Sequence, residues 1–390
     1  MSQENAFVDV SAGVDLFSFG GVQGIAVGDY NNDGYPDLFV TSYDENEPNI
    51  LYKNNGDKTF SKVTSGSIVT DLAKSVSSTW GDYNNDGFLD LFVANNVGAP
   101  NFLYKNNGNG TFSRITSGDI VDYGTYCHSA SWADYDNDGY LDLFVAEYFP
   151  TKSNLLFHNN GDGTFSKVTD SPVVTDAGHS IGSAWGDYNN DGLMDLFVPN
   201  TNNEPNWLYK NIGNGQFVKV NENVISAASN SVGCSWSDYN NDGHIDLFIA
   251  NSGNSNNFLY QNNGNGTFSN ITTGPVVNNG GHSHGSVWFD IENDGDLDLF
   301  VTNDQGYDNF LYTNDGQGNF TRVENDLTAQ GGNSFGTSVA DYDRDGDLDL
   351  FVANHGNTTN FFFENTKGQC ASYLCLNLVG SNSNSSAIGT

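Results

Sequence analysis

Basic residues are scarce in this sequence. Its 390 residues hold 13 lysines and arginines against 48 aspartates and glutamates, a formal charge of −35. Nucleic-acid binding rests on cationic contacts to phosphate, so this balance argues against a nucleic-acid partner. It disfavours an anionic membrane surface for the same reason. No apolar run is long enough for a membrane-spanning helix. No signal-peptide pattern follows Met1, so the chain reads as a mature or trimmed segment. Cysteines number only four, Cys127, Cys234, Cys370 and Cys375, and follow no metal-binding spacing. Cys127 and Cys234 read as matching places two repeats apart, too distant to bond. Cys370 and Cys375 would pair only if the tail looped back. Disorder is excluded by 13% aromatics, and 45 glycines fit an all-β chain with many tight turns.

What is abundant is one nine-residue pattern. Residues 29–37 read Asp-Tyr-Asn-Asn-Asp-Gly-Tyr-Pro-Asp, and the pattern returns at 82–90, 134–142, 187–195, 238–246, 290–298 and 341–349. Calcium is a hard cation that takes six to eight oxygen ligands in a tolerant geometry. In the first copy Asp29, Asn31 and Asp33 wrap one side of such an ion. Gly34 permits the sharp turn, Tyr35 offers its backbone carbonyl, and Asp37 closes the shell. The corresponding sets are Asp82, Asn84, Asp86, Phe88 and Asp90; Asp134, Asp136, Asp138, Tyr140 and Asp142; and Asp187, Asn189, Asp191, Leu193 and Asp195. The last three are Asp238, Asn240, Asp242, His244 and Asp246; Asp290, Glu292, Asp294, Asp296 and Asp298; and Asp341, Asp343, Asp345, Asp347 and Asp349.

No Cys or His side chain takes part in this ligand set, which disfavours zinc and copper, and magnesium demands a stricter octahedron. The loop is not an EF-hand, because Val40 and Val93 stand where that motif needs a glutamate. An Asx-rich turn without metal is the alternative for any single copy. Seven copies, one aspartate each at positions one, five and nine, favour up to seven Ca2+ ions. The third and seventh loops carry extra acids and are expected to bind most tightly.

Each loop sits in a unit of about 52 residues with four β-like runs. In the second unit these are 77–81, 91–94, 101–105 and 111–115, with Asn106-Asn107-Gly108-Asn109-Gly110 as a hairpin signal. Four short antiparallel strands per unit, repeated, predict a β-propeller. Residues 7–13 match the fourth run of later units, while the last unit lacks one. The first strand therefore completes the last blade and closes a seven-bladed ring, removing exposed edges. Trp80, Trp132, Trp185, Trp236 and Trp288, two residues before their loops, read as packing between blades.

The units resemble the FG-GAP or VCBS repeats of integrin α-subunit propellers, bacterial adhesins and some fungal lectins. The resemblance covers residues 7 to about 365. The tail, Leu374 to Gly389, resembles the opening of the ASPIC/UnbV domain that follows such propellers in the cartilage acidic protein family. The expected division is residues 1–368 as propeller and 369–390 as the truncated start of that domain. The resemblance implies calcium loops on one face, between first and second strands, and ligands on the opposite face or between blades. The implied function is a calcium-binding extracellular or cell-surface module that recognises a protein or glycan. It would be a monomer, without membrane insertion. A polysaccharide-active lyase or hydrolase with its site in the central channel is the alternative, and a scaffold for a missing C-terminal domain is another.

The opposite face would carry the variable turns 43–49, 95–101, 147–154, 200–206, 251–257, 303–309 and 354–360. His128, His179, His282 and His284 precede their loops by six or eight residues, near the channel. No carboxylate is fixed beside them in sequence, and they read as scattered channel residues. His282 and His284 would share a strand face and are the pair worth testing for metal. Asn109 and Asn265 belong to glycosylation sequons, but repeat at turns and read as turn-formers.

Overall fold

The repeated Asp-Leu-Phe-Val run explains the architecture. In the first unit Asp37–Ser42 is buried along its whole length. Successive side chains point to opposite faces, so Leu38 and Val40 pack on the preceding unit and Phe39 on the following one. A strand buried on both faces needs a sheet on each side, and only a ring supplies that for every copy.

The computed structural model describes residues 7–11, 21–123, 126–149, 153–220, 224–324, 331–356 and 358–366. Among them are seven four-stranded antiparallel sheets and one two-stranded ribbon. Blades are numbered here by their loops. Blade 2, for example, pairs Ser75–Gly81, Asp90–Asn95, Phe102–Asn106 and Phe112–Ile115 in that order. The first strand of each blade is innermost. Val22–Gly28 touches both Ser75–Gly81 and Ser334–Ala340, which closes the circle of inner strands.

Phe7–Asp9 is the fourth strand of the last blade, with Phe7 opposite Asn365 and Asp9 opposite Phe363. Closure by the first strand is thus as expected. The division at residue 368, the tail, Cys370 and Cys375 lie outside the described residues.

The core is split into seven clusters, one at each junction between blades. The tryptophans sit there, as expected. Trp80, Trp132, Trp185, Trp236 and Trp288 each stack on the position-two tyrosine of the preceding loop, at 6.3–6.4 Å. Blade 1 has Val27 in that place. There Phe362 fills the gap instead, 4.4 Å from Tyr342 and 4.2 Å from Phe351.

One expectation needs correction. Cys127 opens its inner strand, while Cys234 is the fourth residue of its own, so they do not occupy matching places. Seven residues separate Cys127 from its loop, and four separate Cys234 from its own. Cys127 Sγ accepts a hydrogen bond from Asn101 Nδ2 at 3.4 Å, and Cys234 is a free thiol.

Candidate metal loops and channel mouth

Every nine-residue loop folds around its own aspartates. The position-one carboxylate accepts the backbone N–H groups of positions five and six, as Asp29 does from Asp33 and Gly34 at 3.1 and 2.7 Å. The same pair of bonds recurs in all seven loops. These bonds lie within the loop itself and would hold it with or without an ion.

Position four takes the left-handed conformation, with φ of 54–59° in six loops where it is asparagine and 62° at Arg344. Asparagine tolerates this at low cost. The turn aims Asn32 Nδ2 at the Gly87 carbonyl of the next loop, 2.9 Å away, and Asn85 at that of Gly139, 2.8 Å. The loops are thereby stitched side by side. At the seam between blades 7 and 1, the Arg344 guanidinium lies over the Tyr35 ring instead.

Position nine is the buried anchor. Asp37 Oδ1 accepts Asn54 N–H at 2.8 Å, and the equivalent bond exists in every blade. The side chain of that same asparagine donates to the position-two carbonyl of the preceding loop. Asn106, for example, bonds the Tyr30 carbonyl at 2.7 Å. All seven blades repeat this latch. Sequence inspection passed over these asparagines, although each closes the third strand at a fixed place.

Burial raises the position-nine carboxyls, and the other acids of each loop push the same way. Asp37, Asp142, Asp195 and Asp246 rise to about 7, Asp90 to about 8 and Asp349 to about 9. Asp298 is raised by burial, with Glu292 adding to it. A bound cation would reverse these shifts, because an opposite charge favours the ionised form.

Position seven turns its side chain outward in most loops. Tyr35, Phe88, Tyr140 and His244 lie against the hairpin glycines Gly56, Gly108, Gly161 and Gly264, where a Cβ would collide with their rings. That leaves the backbone carbonyl for the loop. Asp296 accepts from Asn241 of the preceding loop. Asp347 differs. It is 1% exposed, and neither carboxylate oxygen has a hydrogen-bond partner. Buried carboxylates without a counter-charge are costly, so this donor set fits a hard cation.

Where position three is asparagine, Asn31, Asn84 and Asn189 donate Nδ2 to the position-nine carboxylate at 2.6–3.1 Å. Turning the amide end for end would present oxygen to an ion. Among the described residues, loop acids gather in close groups of three in blades 3 and 7: Asp134, Asp136 and Asp138, and Asp341, Asp343 and Asp349. A third group contains Asp136, Asp142 and His158. The expectation that no histidine joins the loops therefore fails in blade 3. His158 comes from the third strand, far from the motif in sequence.

The inner strands enclose a channel cavity of about 320 Å³, to which all seven blades contribute. His128 and His284 line it, with Phe335 and several serines. Six inner strands carry a bulge at the same level. Bulges re-aim side chains, here at the channel mouth. The histidines are not scattered. Asp304 lies 3.3 Å from His284 Nε2 and 3.6 Å from His282 Nδ1, a carboxylate that the sequence reading did not place there. His355 joins through Phe335, which sits 4.2 Å from His284 and 5.4 Å from His355. His179 pairs separately with Glu204 at 2.7 Å. Burial pushes the His128 imidazole down to about 4, with His284 adding to the shift.

Asp304 and His355 each stand directly after a second strand. In six blades the residue at that place donates its N–H to the carbonyl just before the inner strand, and in blade 4 Thr201 makes the equivalent bond to the His179 carbonyl. That fixed position was the signal by which they could have been found. Asn109 and Asn265 accept from Thr111 and Thr267, as their turn reading required.

A family profile of the FG-GAP-like repeat matches residues 29–93, 82–145, 145–198, 197–249, 238–301 and 290–352. Cartilage acidic protein 1 of Xenopus tropicalis is 28% identical over 201 residues, 49% of this chain and 30% of that protein. The human protein is 28% identical over 203 residues, 50% of this chain and 30% of its own length. The matched segment thus spans less than a third of these relatives. Among solved structures, an Agrocybe aegerita lectin superposes with a TM-score of 0.57 at 21% identity, over 80% of this chain and 82% of the lectin. That structure concerns specific recognition of non-reducing terminal N-acetylglucosamine by the lectin. Virginiamycin B lyase of Staphylococcus aureus superposes with a TM-score of 0.54 at 12% identity, over 88% and 94%. At these identities the likeness is one of fold.

Proposed function

The chain belongs to the FG-GAP-like repeat family, and from that premise we propose that it is a calcium-stabilised recognition module working outside the cell. Calcium ions sit in the nine-residue loops and act as staples between strands, with no catalytic role. The carrying observation is Asp347, buried in the last loop with both carboxylate oxygens unpartnered beside Asp341, Asp343 and Asp349. Loops of this charge suit millimolar calcium, with dissociation constants on the order of 10⁻⁴–10⁻³ M. That range is met in extracellular fluid.

The partner is a glycan or a polar protein surface, and it meets the channel-mouth face. Histidine, asparagine and aspartate there offer hydrogen bonds, while Phe149 and Tyr307 offer exposed rings. Likeness to the N-acetylglucosamine-binding lectin supports a sugar among the candidates. A glycan array read with calcium and again with chelator tests this. Calcium-dependent binding to a defined sugar is the expected result, and silence on glycans while a protein ligand binds would shift the reading to proteins.

A second reading is catalysis on a polysaccharide in the channel. It is favoured by the His284–Asp304 pair, which has the separation of an acid–base couple. Depolymerisation of the bound glycan, lost on His284→Ala, would establish it. Binding without turnover would retire it.

A further inference from the structure

Blade 3 alone carries an imidazole over its loop. The third-strand residue just before the latch asparagine is, in blade order, Lys53, Lys105, His158, Lys210, Gln261, Thr313 and Glu364. In blades 1, 2 and 4 the lysine reaches the position-five carboxylate of its loop, at 3.3, 3.2 and 3.4 Å. His158 is shorter and turns to different acids. Its Nδ1 lies 3.3 Å from Asp136 Oδ2 and 3.3 Å from Asp142 Oδ1. Ligand atoms of these three residues all lie within 4.8 Å of one another.

Two further facts mark the place as unfinished without an ion. His158 Nδ1 and Asp136 Oδ1 are both shut off from solvent, and neither makes a hydrogen bond. Position three is also acidic there: it is asparagine in blades 1, 2, 4 and 5 and acidic in blades 3, 6 and 7, and of these blade 3 is the one that sets an imidazole against it. An imidazole serving only as a substitute for lysine would not need the added carboxylate.

We propose that the loop of blade 3 is a site for a borderline divalent transition ion of the zinc class, ligated by His158, Asp136 and Asp142. Calcium takes oxygen ligands, whereas imidazole nitrogen suits zinc, copper and nickel. A mixed nitrogen–oxygen set therefore separates this loop from the six all-oxygen loops. The inference rests on the proposed metal reading only in taking the loop as a cation site, and it does not require calcium elsewhere.

The test is calorimetric titration of zinc into the full chain in excess calcium, with cobalt absorption spectra reporting nitrogen ligation. His158→Lys and Asp136→Asn carry residues that other blades hold at these places, and the melting temperature of each confirms folding. Wild type should take up one tight zinc equivalent, weakened at least about tenfold by either substitution. His284→Ala should leave it unchanged. Equal zinc affinity in wild type and His158→Lys, loss on His284→Ala instead, or no zinc uptake at all would overturn the assignment. Calcium content measured on the same samples keeps the two readings apart. Zinc lost with His158→Lys in a protein that binds no calcium leaves this site standing, and calcium present with zinc indifferent to the variants removes this site alone.

Discussion

The two faces of the disc are built on opposite plans. On the loop face the same bonds recur seven times: the position-one turn, the position-nine anchor and the asparagine latch. On the channel-mouth face the frame also recurs, through the N–H that follows each second strand. The side chains hung on that frame are of six kinds: Tyr43 and Tyr148, Asn96, Thr201, Ser252, Asp304 and His355. Uniformity on one side and variety on the other separate what holds the ring from what it presents. Stability should therefore respond to the first face and binding to the second.

The strongest break of that contrast is Asn106→Ala. It removes the bonds to the Tyr30 and Leu89 carbonyls, leaving both short of a donor. The expected loss is about 2–4 kcal/mol in urea unfolding, against less than about 0.5 kcal/mol for Tyr307→Ala on the other face. Comparable losses would erase the distinction.

Acidity sharpens it next. The position-nine carboxyls are raised in the fold, so the metal-free folded chain binds more protons than the unfolded chain from about pH 4 to about pH 7–9. Stability contributed by the neutral forms is present at low pH and lost as pH climbs through those values. Metal-free protein should melt lower at pH 8 than at pH 5, and calcium should flatten or invert the trend. Melting curves across pH with and without calcium give the answer.

A smaller effect is expected from His284→Ala. Its melting temperature should move by less than about 2 °C, while affinity for the partner on that face falls. The smallest concerns Lys58, whose exposed ammonium lies against Asp343 and Glu364 across the seam. Lys58→Ala should raise calcium affinity of the last loop only about two- to fivefold. The charge supplied by Lys58 works against the tighter binding that acid count alone predicts for the last loop.

Much of this was legible in the residues. The period of the loop motif, the hairpin glycines and the orphan strand at residues 7–9 carry the ring and its closure. Tryptophans two residues before five of the loops carry the junctions there. What escaped is what forms only when strands pair and blades meet. The latch joins residues 74 to 76 apart in six blades and 288 apart at the seam. Asp304 meets His284, and His158 meets Asp136, from strands whose local pattern is unremarkable. Spacing along the chain cannot show such partners, because they depend on register across the sheet and on packing between sheets.

The central claim is that divalent ions staple the loop face. Metal analysis of the purified chain, followed by calorimetric melting with calcium and with excess EGTA, tests it most directly. Bound calcium, and a melting temperature lower by on the order of 10 °C in EGTA, is the predicted outcome. A chain free of metal as purified, with the same melting temperature in calcium and in EGTA, would contradict it.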